Sequence, residues 1–154
     1  MGLIIGPTPW WQANIVSVCP EGTYLPDGSR IICKSGGTAW IIAPACTQVG
    51  STWNGTTNTQ VGNKCCVCDW SSLCSRLISC GFNPCDWFVP SASQLQNPGF
   101  NCRATWDSFS PANYWSSTEC NAGCAYLVSY NAGNAFATTK TGGGCVRAFR
   151  CVTY

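Results

Sequence analysis

Cysteine constrains this chain more than any other residue type, because it makes up 14 of the 154 residues and the count is even. Cysteine fractions near this level are typical of scaffolds held by disulfides in oxidising settings. Histidine is absent, so a structural zinc would need cysteine ligands alone, usually as two C-x2-C pairs. The nearest spacings here are Cys66-x-Cys68 and Cys120-x3-Cys124. Disulfides are therefore the favoured interpretation, with a structural metal and buried thiols as the open alternatives.

The chain has the length of one domain, which at this size can bury a substantial apolar core. Charged residues are only 9% of the sequence, and the formal net charge is +2. Because nucleic-acid phosphates require clustered lysine and arginine, we expect no nucleic-acid partner. No apolar run approaches the length of a membrane span, so we expect no membrane insertion. A surface of low charge suits a protein packed among many neighbours, or one that meets polar, uncharged ligands.

Residues 1–23 form a predicted N-terminal arm, and residues 24–154 form the predicted domain. The first residues show neither the basic nor the long apolar segment of a signal peptide. A cysteine-rich chain made in the cytosol is explained if it belongs to a virion released by lysis, or if a signal peptide has been removed. Trp10 and Trp11 need an apolar partner surface. Either the arm packs on its own domain, or these tryptophans anchor it to another subunit.

A β-hairpin is predicted near the start of the domain. Ser35-Gly36-Gly37 separates β-like runs over 30–33 and 39–43, and glycine readily adopts the positive φ of tight hairpin turns. The next segment, 45–64, is rich in polar residues and predicts a loop with Trp53 as its anchor.

Two helices are predicted in the middle of the chain. Apolar residues recur with a 3.6-residue period over 69–80, where Asp69 can cap the helix and Gly81 can end it. Ser91 and Gln94 then form the capping-box pattern that begins a helix. The following Asn97-Pro98-Gly99 ends that helix within two turns.

The remainder of the sequence predicts strands. The runs with strand character are 114–117, 125–130, 135–139 and 146–153. Residues 131–134 predict the turn between the middle two, and a glycine-rich turn over 141–144 leads to the last. A hairpin, two helices and an antiparallel meander in this order predict an α+β fold.

Several segments occur in one order that is characteristic of a known domain. They are GTAWIIAP (37–44), CDWFVPSASQLQ (85–96), YWSSTE (114–119), AYLVSYNAGNAF (125–136) and CVRAFR (145–150). This series resembles the Lcl C-terminal (DUF1566-type) domain of bacterial adhesins and phage proteins, over about 24–154. The chain departs from the usual pattern at Val89, where the family has leucine, and at Gln94, where it has glutamate. Its cysteine content also exceeds that of the family.

The resemblance implies a C-type-lectin-like fold, in which two short helices flank a twisted antiparallel sheet and the chain ends lie close together. It also implies binding or display rather than catalysis. In such a fold, disulfides would join Cys74 or Cys80 to Cys151, and Cys120 or Cys124 to Cys145. The domain is therefore expected to be disulfide-rich.

Neither a metal nor a cofactor is expected from the remaining chemistry. Histidine, the commonest general base, is absent, and the six acidic residues are not clustered as calcium sites require. The calcium–sugar motifs of C-type lectins are missing as well. Formylglycine-generating oxidases share the fold and use two cysteines near the C-terminus, which Cys145 and Cys151 superficially match. A structural role explains these two cysteines better.

Aromatic rings beside amide side chains are suitable for sugar recognition, since the ring stacks on the sugar while the amide bonds its hydroxyls. Loop or hairpin-tip positions make Trp106, Tyr130, Asn131 and Asn134 the candidate ligand-binding residues. The alternative for the two asparagines is that they only form the turn. The motif tryptophans, Trp87 and Trp115, are expected in the core, and Arg147 and Arg150 are expected to pair with Asp86 or Glu119.

Three functions follow as hypotheses. The first is a non-enzymatic virion protein that decorates the surface of a phage particle, with partners among other virion proteins or copies of itself through the arm. The second is a receptor-binding module of a tail fibre or adhesin that recognises a host-surface glycan or protein, in an extracellular or cell-surface setting. The third, more remote, is an oxidase of the formylglycine-generating type.

Overall fold

The computed structural model describes residues 10–53, 70–106, 108–109 and 112–154, and the side chains from Asn14 onward. The α+β prediction is confirmed, with strands as the main element. The predicted cap Asp69, the side chains of Trp10 and Trp11, and the pair Cys66 and Cys68 lie outside the described residues.

The first sheet contains the predicted hairpin. Strand β1 (Arg30–Ser35) pairs antiparallel with β2 (Thr38–Ile42) through a two-residue turn. Gly36 and Gly37 have φ of +58° and +80°, the left-handed conformation that this turn requires. The third strand of the sheet, β8 (Phe149–Thr153), comes from the end of the chain and pairs antiparallel with β2.

The second sheet has five strands, and the first of them along the chain was not predicted from the sequence. Its strands are β3 (Val49–Ser51), β4 (Asn113–Asn121), β5 (Cys124–Ser129), β6 (Ala135–Thr139) and β7 (Gly144–Val146). Their spatial order is β3-β7-β4-β5-β6. Strand β3 lies inside the segment predicted as a loop, and it pairs with β7 from the other end of the chain. The anchor predicted in that loop, Trp53, is buried and donates to Ser116 O at 3.0 Å.

The prediction of one last strand over 146–153, in one antiparallel sheet, is wrong. The chain leaves the second sheet after Val146 and enters the first at Phe149, while β7 pairs with β4 in parallel at Cys145 and Tyr114. The crossing is held by Ala43, whose N–H donates to Ala148 O at 3.1 Å and whose carbonyl accepts from Arg147 Nε at 2.9 Å. Two sheets therefore share one C-terminal segment.

The two predicted helices are confirmed. Helix α2 (Ser71–Ser79) buries Leu73 and Leu77 and is followed by Gly81 at φ +90°. The single turn α3 (Ala92–Gln94) has the predicted capping box: Gln94 N donates to Ser91 Oγ at 3.2 Å, and Ser91 N donates to Gln94 Oε1 at 2.9 Å. An irregular turn, Leu95–Phe100, follows α3 and contains a cis peptide bond before Pro98.

Shorter elements complete the fold. Helix α1 (Trp10–Val18) lies within the predicted arm, and its Val16 is fully buried in the core of the domain. Single 3₁₀ turns occur at Ala45–Thr47, Pro84–Asp86 and Arg103–Thr105. None of the helices in the described part of the chain is long and apolar enough to cross a bilayer.

The core has two parts. The first combines aliphatic side chains from α2 and both sheets with Trp87 and Trp115, each 1% exposed, so their prediction as core residues is confirmed. The second part is called the aromatic cluster here. It is formed by Phe88, Trp106, Tyr114, Tyr130 and Phe149, with Leu95 and Val128 among its aliphatic members.

Candidate functional site

The aromatic rings predicted to bind ligand are in the core instead. Trp106 and Tyr130 are only 4% and 3% exposed, and their ring centroids are 5.0 Å apart. Trp106 also contacts Phe149, and Tyr130 also contacts Tyr114, at centroid distances of 5.8 Å and 4.7 Å. The prediction that these rings are available for sugar stacking is wrong, because both rings are buried among other aromatic rings.

Tyr130 is held inside by its hydroxyl as well as by its ring. The hydroxyl donates to Leu95 O at 2.9 Å, in the irregular turn that follows α3. Burial raises the pKa of Tyr130, and the nearby Tyr114 adds to the effect. Tyr130 therefore stays protonated and serves as a packed hydrogen-bond donor.

The two asparagines predicted beside these rings are exposed at the turn between β5 and β6. The positive φ of this turn, +84°, belongs to Gly133 between them. A Cβ at Gly133 would lie 2.6 Å from the ring of Phe100, so the turn packs closely on the preceding segment. Asn131 and Asn134 are thus exposed, whereas the aromatic rings with which they were expected to form a site are buried.

A different surface feature is the strongest candidate site. It is an open cavity of about 790 Å³ between α3, the end of β4 and the outer side of β5, called the groove here. Hydroxyl, amide and aromatic side chains dominate its wall. Its lining residues are Ser91, Ala92, Ser93, Gln96, Thr118, Glu119, Cys120, Tyr126 and Ala135.

One wall of the groove is positioned by the start of α3. Ser91 Oγ lies 3.1 Å from Ser93 Oγ, and Ala92 N donates to Thr118 Oγ1 at 3.0 Å. The capping box therefore does more than begin a helix. It places two serine hydroxyls opposite the threonine hydroxyl of β4.

The other wall carries the amide and the ring. Gln96 Nε2 donates to Gly133 O at 3.0 Å, which ties the turn after α3 to the β5–β6 turn. Tyr126 is partly exposed on β5, on the side opposite the buried Ala125 and Leu127. A planar ring, an amide and several hydroxyls line one open space, and this combination can hold a polar ligand through stacking and hydrogen bonds.

The carboxylate in the groove is already paired. Glu119 is 5% exposed and forms a short salt bridge with Lys140. Lys140 Nζ also donates to Ala122 O at 2.8 Å and lies 4.3 Å from the ring centroid of Trp53. Because its charge is balanced, this carboxylate gives the groove little net charge and favours an uncharged ligand.

A disulfide closes the rim of the groove. Cys120 at the end of β4 is bonded to Cys124 at the start of β5, with the two Cα atoms 5.3 Å apart. The predicted bond from Cys120 or Cys124 to Cys145 is wrong, because the tight turn between β4 and β5 brings these two cysteines to each other. Gly123 N donates to Asn121 Oδ1 at 2.9 Å within the same turn.

The structure shows no bond from α2 to the last strand, since neither Cys74 nor Cys80 forms a disulfide with Cys151. Cys80 lies at the end of α2, where its Sγ is 3.5 Å from Cys46 O. The helix end faces the Ala45–Thr47 turn, whereas Cys151 is exposed on β8 opposite Trp40.

The two arginines of the last segment have structural contacts. Arg147 is 1% exposed; it donates to the carbonyls of Ala43 and Ser108 and lies 5.5 Å from the ring centroid of Trp106. Arg150 lies 5.3 Å from the ring centroid of Trp87. Burial raises the pKa of Asp86, and the charge of Arg150 opposes that shift. The predicted carboxylate partner Glu119 pairs with Lys140.

The sequence signals at the groove residues are also structural signals, which is why they do not indicate a site. Ser91 has the pattern of a helix cap, and Tyr126 lies inside a run with strand character. The alternation of Ala125, Tyr126 and Leu127 is the signal that could have found the ring, because it places Tyr126 opposite two buried neighbours.

No group of three or more potential metal ligands occurs among the described residues. Neither a protein-family model nor a curated protein matches the sequence.

Proposed function

We propose that the chain is a non-enzymatic structural protein of a phage virion, which decorates the particle surface with a domain of C-type-lectin-like fold. The burial of the motif residues supports this proposal. Trp87, Trp115 and Arg147 belong to the motifs that carry the resemblance, and each is 1% exposed. Shared motifs that fill the core suggest a shared framework, whereas shared chemistry would place reactive groups at an accessible site.

The meeting of the N-terminal helix with the C-terminal strand is consistent with the lectin-like proposal. Helix α1 packs on β8, and Tyr154 N donates to Gly37 O at 2.9 Å. Lys34 Nζ donates to Val16 O at 2.7 Å and lies 4.5 Å from the ring centroid of Tyr154. Helix α1 and the end of β8 are therefore held at one side of the fold.

The anchoring part of the proposal is tested with the double variant Trp10→Ala/Trp11→Ala. Deleting the whole arm is unsuitable, because it would remove Val16 from the core. The control is Val18→Ala, which changes an 80% exposed apolar residue of the same helix. We expect gradient-purified particles to contain the wild type and the control but little of the double variant. Equal amounts of all three in the particles would contradict anchoring, and absence of the wild type would contradict the virion assignment.

A second candidate function is receptor binding, and the groove favours it. Its hydroxyls, its amide, its partly exposed Tyr126 and its neutralised Glu119 suit an uncharged glycan. Under this proposal the groove, rather than the predicted Trp106 and Tyr130, carries recognition of the host surface.

Receptor binding is tested by screening the whole chain on arrays of neutral and acidic glycans. We expect binding to a neutral glycan, and an affinity about tenfold lower for Tyr126→Ala, since one ring–sugar contact contributes roughly 1.4 kcal/mol. The control Tyr24→Ala makes the same change at a 55% exposed position outside the groove. Equal losses in both variants, or binding of acidic glycans alone, would contradict the groove as the site.

The oxidase alternative is disfavoured by the surroundings of its two cysteines. Cys145 lies on β7 in the five-stranded sheet, whereas Cys151 lies on β8 in the other sheet. We propose that both are structural. An oxidase turnover that Cys145→Ser abolishes without unfolding the chain would overturn this proposal.

A further inference from the structure

Two pairs of cysteines that are distant in the sequence lie side by side in the fold. The thiol of Cys33 interacts with that of Cys102, and the thiol of Cys46 with that of Cys80, so that each partner contributes to the raised pKa of the first thiol. None of these four cysteines forms a disulfide in the structure. Both contacts join segments that the sequence did not predict to meet.

The first pair joins β1 to the segment that covers the aromatic cluster. Cys33 lies on β1, and Cys102 immediately precedes the Arg103–Thr105 turn. Thr105 Oγ1 lies 2.7 Å from the carbonyl oxygens of both Ile32 and Cys102, so one hydroxyl bridges the two segments beside the thiols. Arg30 Nη1 also donates to Trp106 O at 2.9 Å. The segment after Cys102 is thus held to β1 by two side chains that donate to backbone carbonyls beside the thiols.

The second pair joins the end of α2 to the Ala45–Thr47 turn, which leads into β3. Arg76 Nη1 lies 3.3 Å from Cys46 O and 3.2 Å from Gln48 O, one helical turn before Cys80. Cys80 Sγ lies 3.5 Å from the same Cys46 carbonyl. The end of α2 and the Ala45–Thr47 turn therefore contact each other where the two thiols lie.

We propose that Cys33–Cys102 and Cys46–Cys80 are native disulfides of the oxidised protein, formed by exchange with the disulfide of a small thiol or of an oxidoreductase. Both pairs differ from those implied by the family resemblance. The proposal does not depend on the virion assignment, since it follows from the positions of the thiols alone.

The exchange is balanced as two substitutions at sulfur. One protein thiolate attacks the external disulfide, forms a mixed disulfide and releases one external thiolate. The neighbouring protein cysteine, as its thiolate, then attacks the protein-side sulfur of the mixed disulfide and releases the second external thiolate. The protein loses two protons and two electrons, and the external disulfide is reduced to two thiols.

The thiol environment indicates which cysteine reacts first. Burial raises the pKa of Cys33 to about 12, with further contributions from Cys102 and Glu21. Burial also raises the pKa of Cys46, with contributions from Cys80. Since the thiolate is the attacking species, the raised pKa values disfavour Cys33 and Cys46 as the first nucleophiles, which leaves the first attack to their partners. Once they form mixed disulfides they no longer carry a competing negative charge, which favours ionisation of Cys33 and Cys46.

The two bonds would connect parts of the fold that otherwise meet only through side-chain contacts. The first would fasten the covering segment of the aromatic cluster to β1, and the second would fasten α2 to the edge of the five-stranded sheet. The paired residues are 69 and 34 positions apart (102 − 33 and 80 − 46), so each bond closes a long loop and restricts the unfolded chain strongly.

The test oxidises the reduced, folded wild-type chain with glutathione disulfide, blocks remaining thiols with N-ethylmaleimide and maps cross-linked peptides without reductant. Trypsin alone leaves Cys80 and Cys102 in one fragment, whereas added Asp-N protease cuts before Asp86 and separates them. We expect fragment 31–34, which contains Cys33, to be linked to fragment 86–103, which contains Cys102. We also expect fragment 35–64, which contains Cys46, to be linked to fragment 77–85.

Fragment 77–85 also contains Cys85, so two variants identify the partner of Cys46. Cys80→Ser should remove the second link, and the matched variant Cys85→Ser should keep it. The same oxidation in concentrated guanidinium chloride should scramble the pairs, which shows that the folded chain selects them. If Cys33 or Cys46 is found alkylated in the oxidised folded chain, or linked to another cysteine, the corresponding bond is overturned.

Discussion

Tyr126 and Tyr130 are four residues apart in the sequence but differ in exposure to solvent. Alternation along β5 directs Tyr126 and Val128 to one side of the sheet, and Tyr130 follows just beyond the strand end. Tyr130 is 3% exposed among aromatic rings, while Tyr126 is partly exposed and lines the groove. The comparison shows that strand position alone does not make an aromatic side chain available to a ligand.

The difference comes from what covers each ring. The segment after α3 supplies Leu95, Phe100 and Trp106 around Tyr130, whereas α3 itself presents mainly serine and alanine beside Tyr126. Helix α3 has only one turn, and Tyr126 stays partly exposed beside it. The groove thus lies beside a helix of one turn. The aromatic cluster is covered by the segment that follows this helix along the chain.

The largest loss of stability is expected for Trp106→Ala, which removes a ring that contacts most of the aromatic cluster around Tyr130. We expect the free energy of unfolding to fall by about 3–5 kcal/mol, as for other buried tryptophans. Chemical denaturation followed by circular dichroism measures it, and Trp106→Phe should lose clearly less. A loss under about 1 kcal/mol for Trp106→Ala would contradict the covering role of this segment.

Tyr130→Phe is expected to have the next largest effect, about 1–2 kcal/mol at neutral pH, because it leaves Leu95 O without its donor. It should also change the alkaline behaviour. Above the ordinary tyrosine pKa of about 10, the unfolded chain releases this proton while the folded chain keeps it. The folded state then binds more protons, so its stability falls with rising pH, by up to about 1.4 kcal/mol per pH unit.

Urea unfolding at pH 7 and between pH 10 and 11 measures both effects. Tyr130→Phe should lose this part of the alkaline slope, and Tyr126→Phe should keep it. Identical slopes in the wild type and Tyr130→Phe would show that Tyr130 is not buried as described.

Ser91→Ala tests the wall of the groove. It removes the acceptor of the Gln94 amide, so we expect a loss of about 1 kcal/mol in stability. Ser93→Ala is the matched control, because Ser93 is exposed and lies outside the capping box; its effect should stay within about 0.5 kcal/mol. Equal effects of the two variants, measured by denaturant unfolding, would indicate that the capping box does not hold α3 in place.

Tyr126→Ala is expected to affect stability least, by roughly 0.5 kcal/mol or less, because its ring lies at an open surface. Differential scanning calorimetry should then show a change in Tm below about 2 °C. A drop comparable with that of Trp106→Ala would mean that Tyr126 is a core residue and that the groove lacks a free ring.

Local signals in the sequence predicted several elements correctly. The Gly36-Gly37 turn, the apolar face of α2 and the Ser91 capping box each depend on residues a few positions apart. Trp87 and Trp115 were also predicted correctly as core residues, from the motifs in which they occur.

Contacts between distant parts of the chain could not be predicted in this way. Strand β3 is only three residues long, and it is a strand because β7, more than ninety positions later, supplies its hydrogen bonds. For the same reason, the structure joins Cys120 to Cys124 and not to Cys145, the partner that the resemblance implied. Which cysteines meet depends on how the tips of strands and the ends of helices are arranged in space.

The sequence by itself determined the Gly36-Gly37 turn and the Ser91 cap, that the fold is α+β, and that Trp87 and Trp115 are buried. These features depend on backbone conformation and periodicity, which are properties of neighbouring residues. Only the tertiary structure decided that Trp106 and Tyr130 are core residues and that Tyr126 lines a groove. The exposure of a side chain depends on which distant segment of the chain covers it. The residues next to it in the sequence do not reveal that segment.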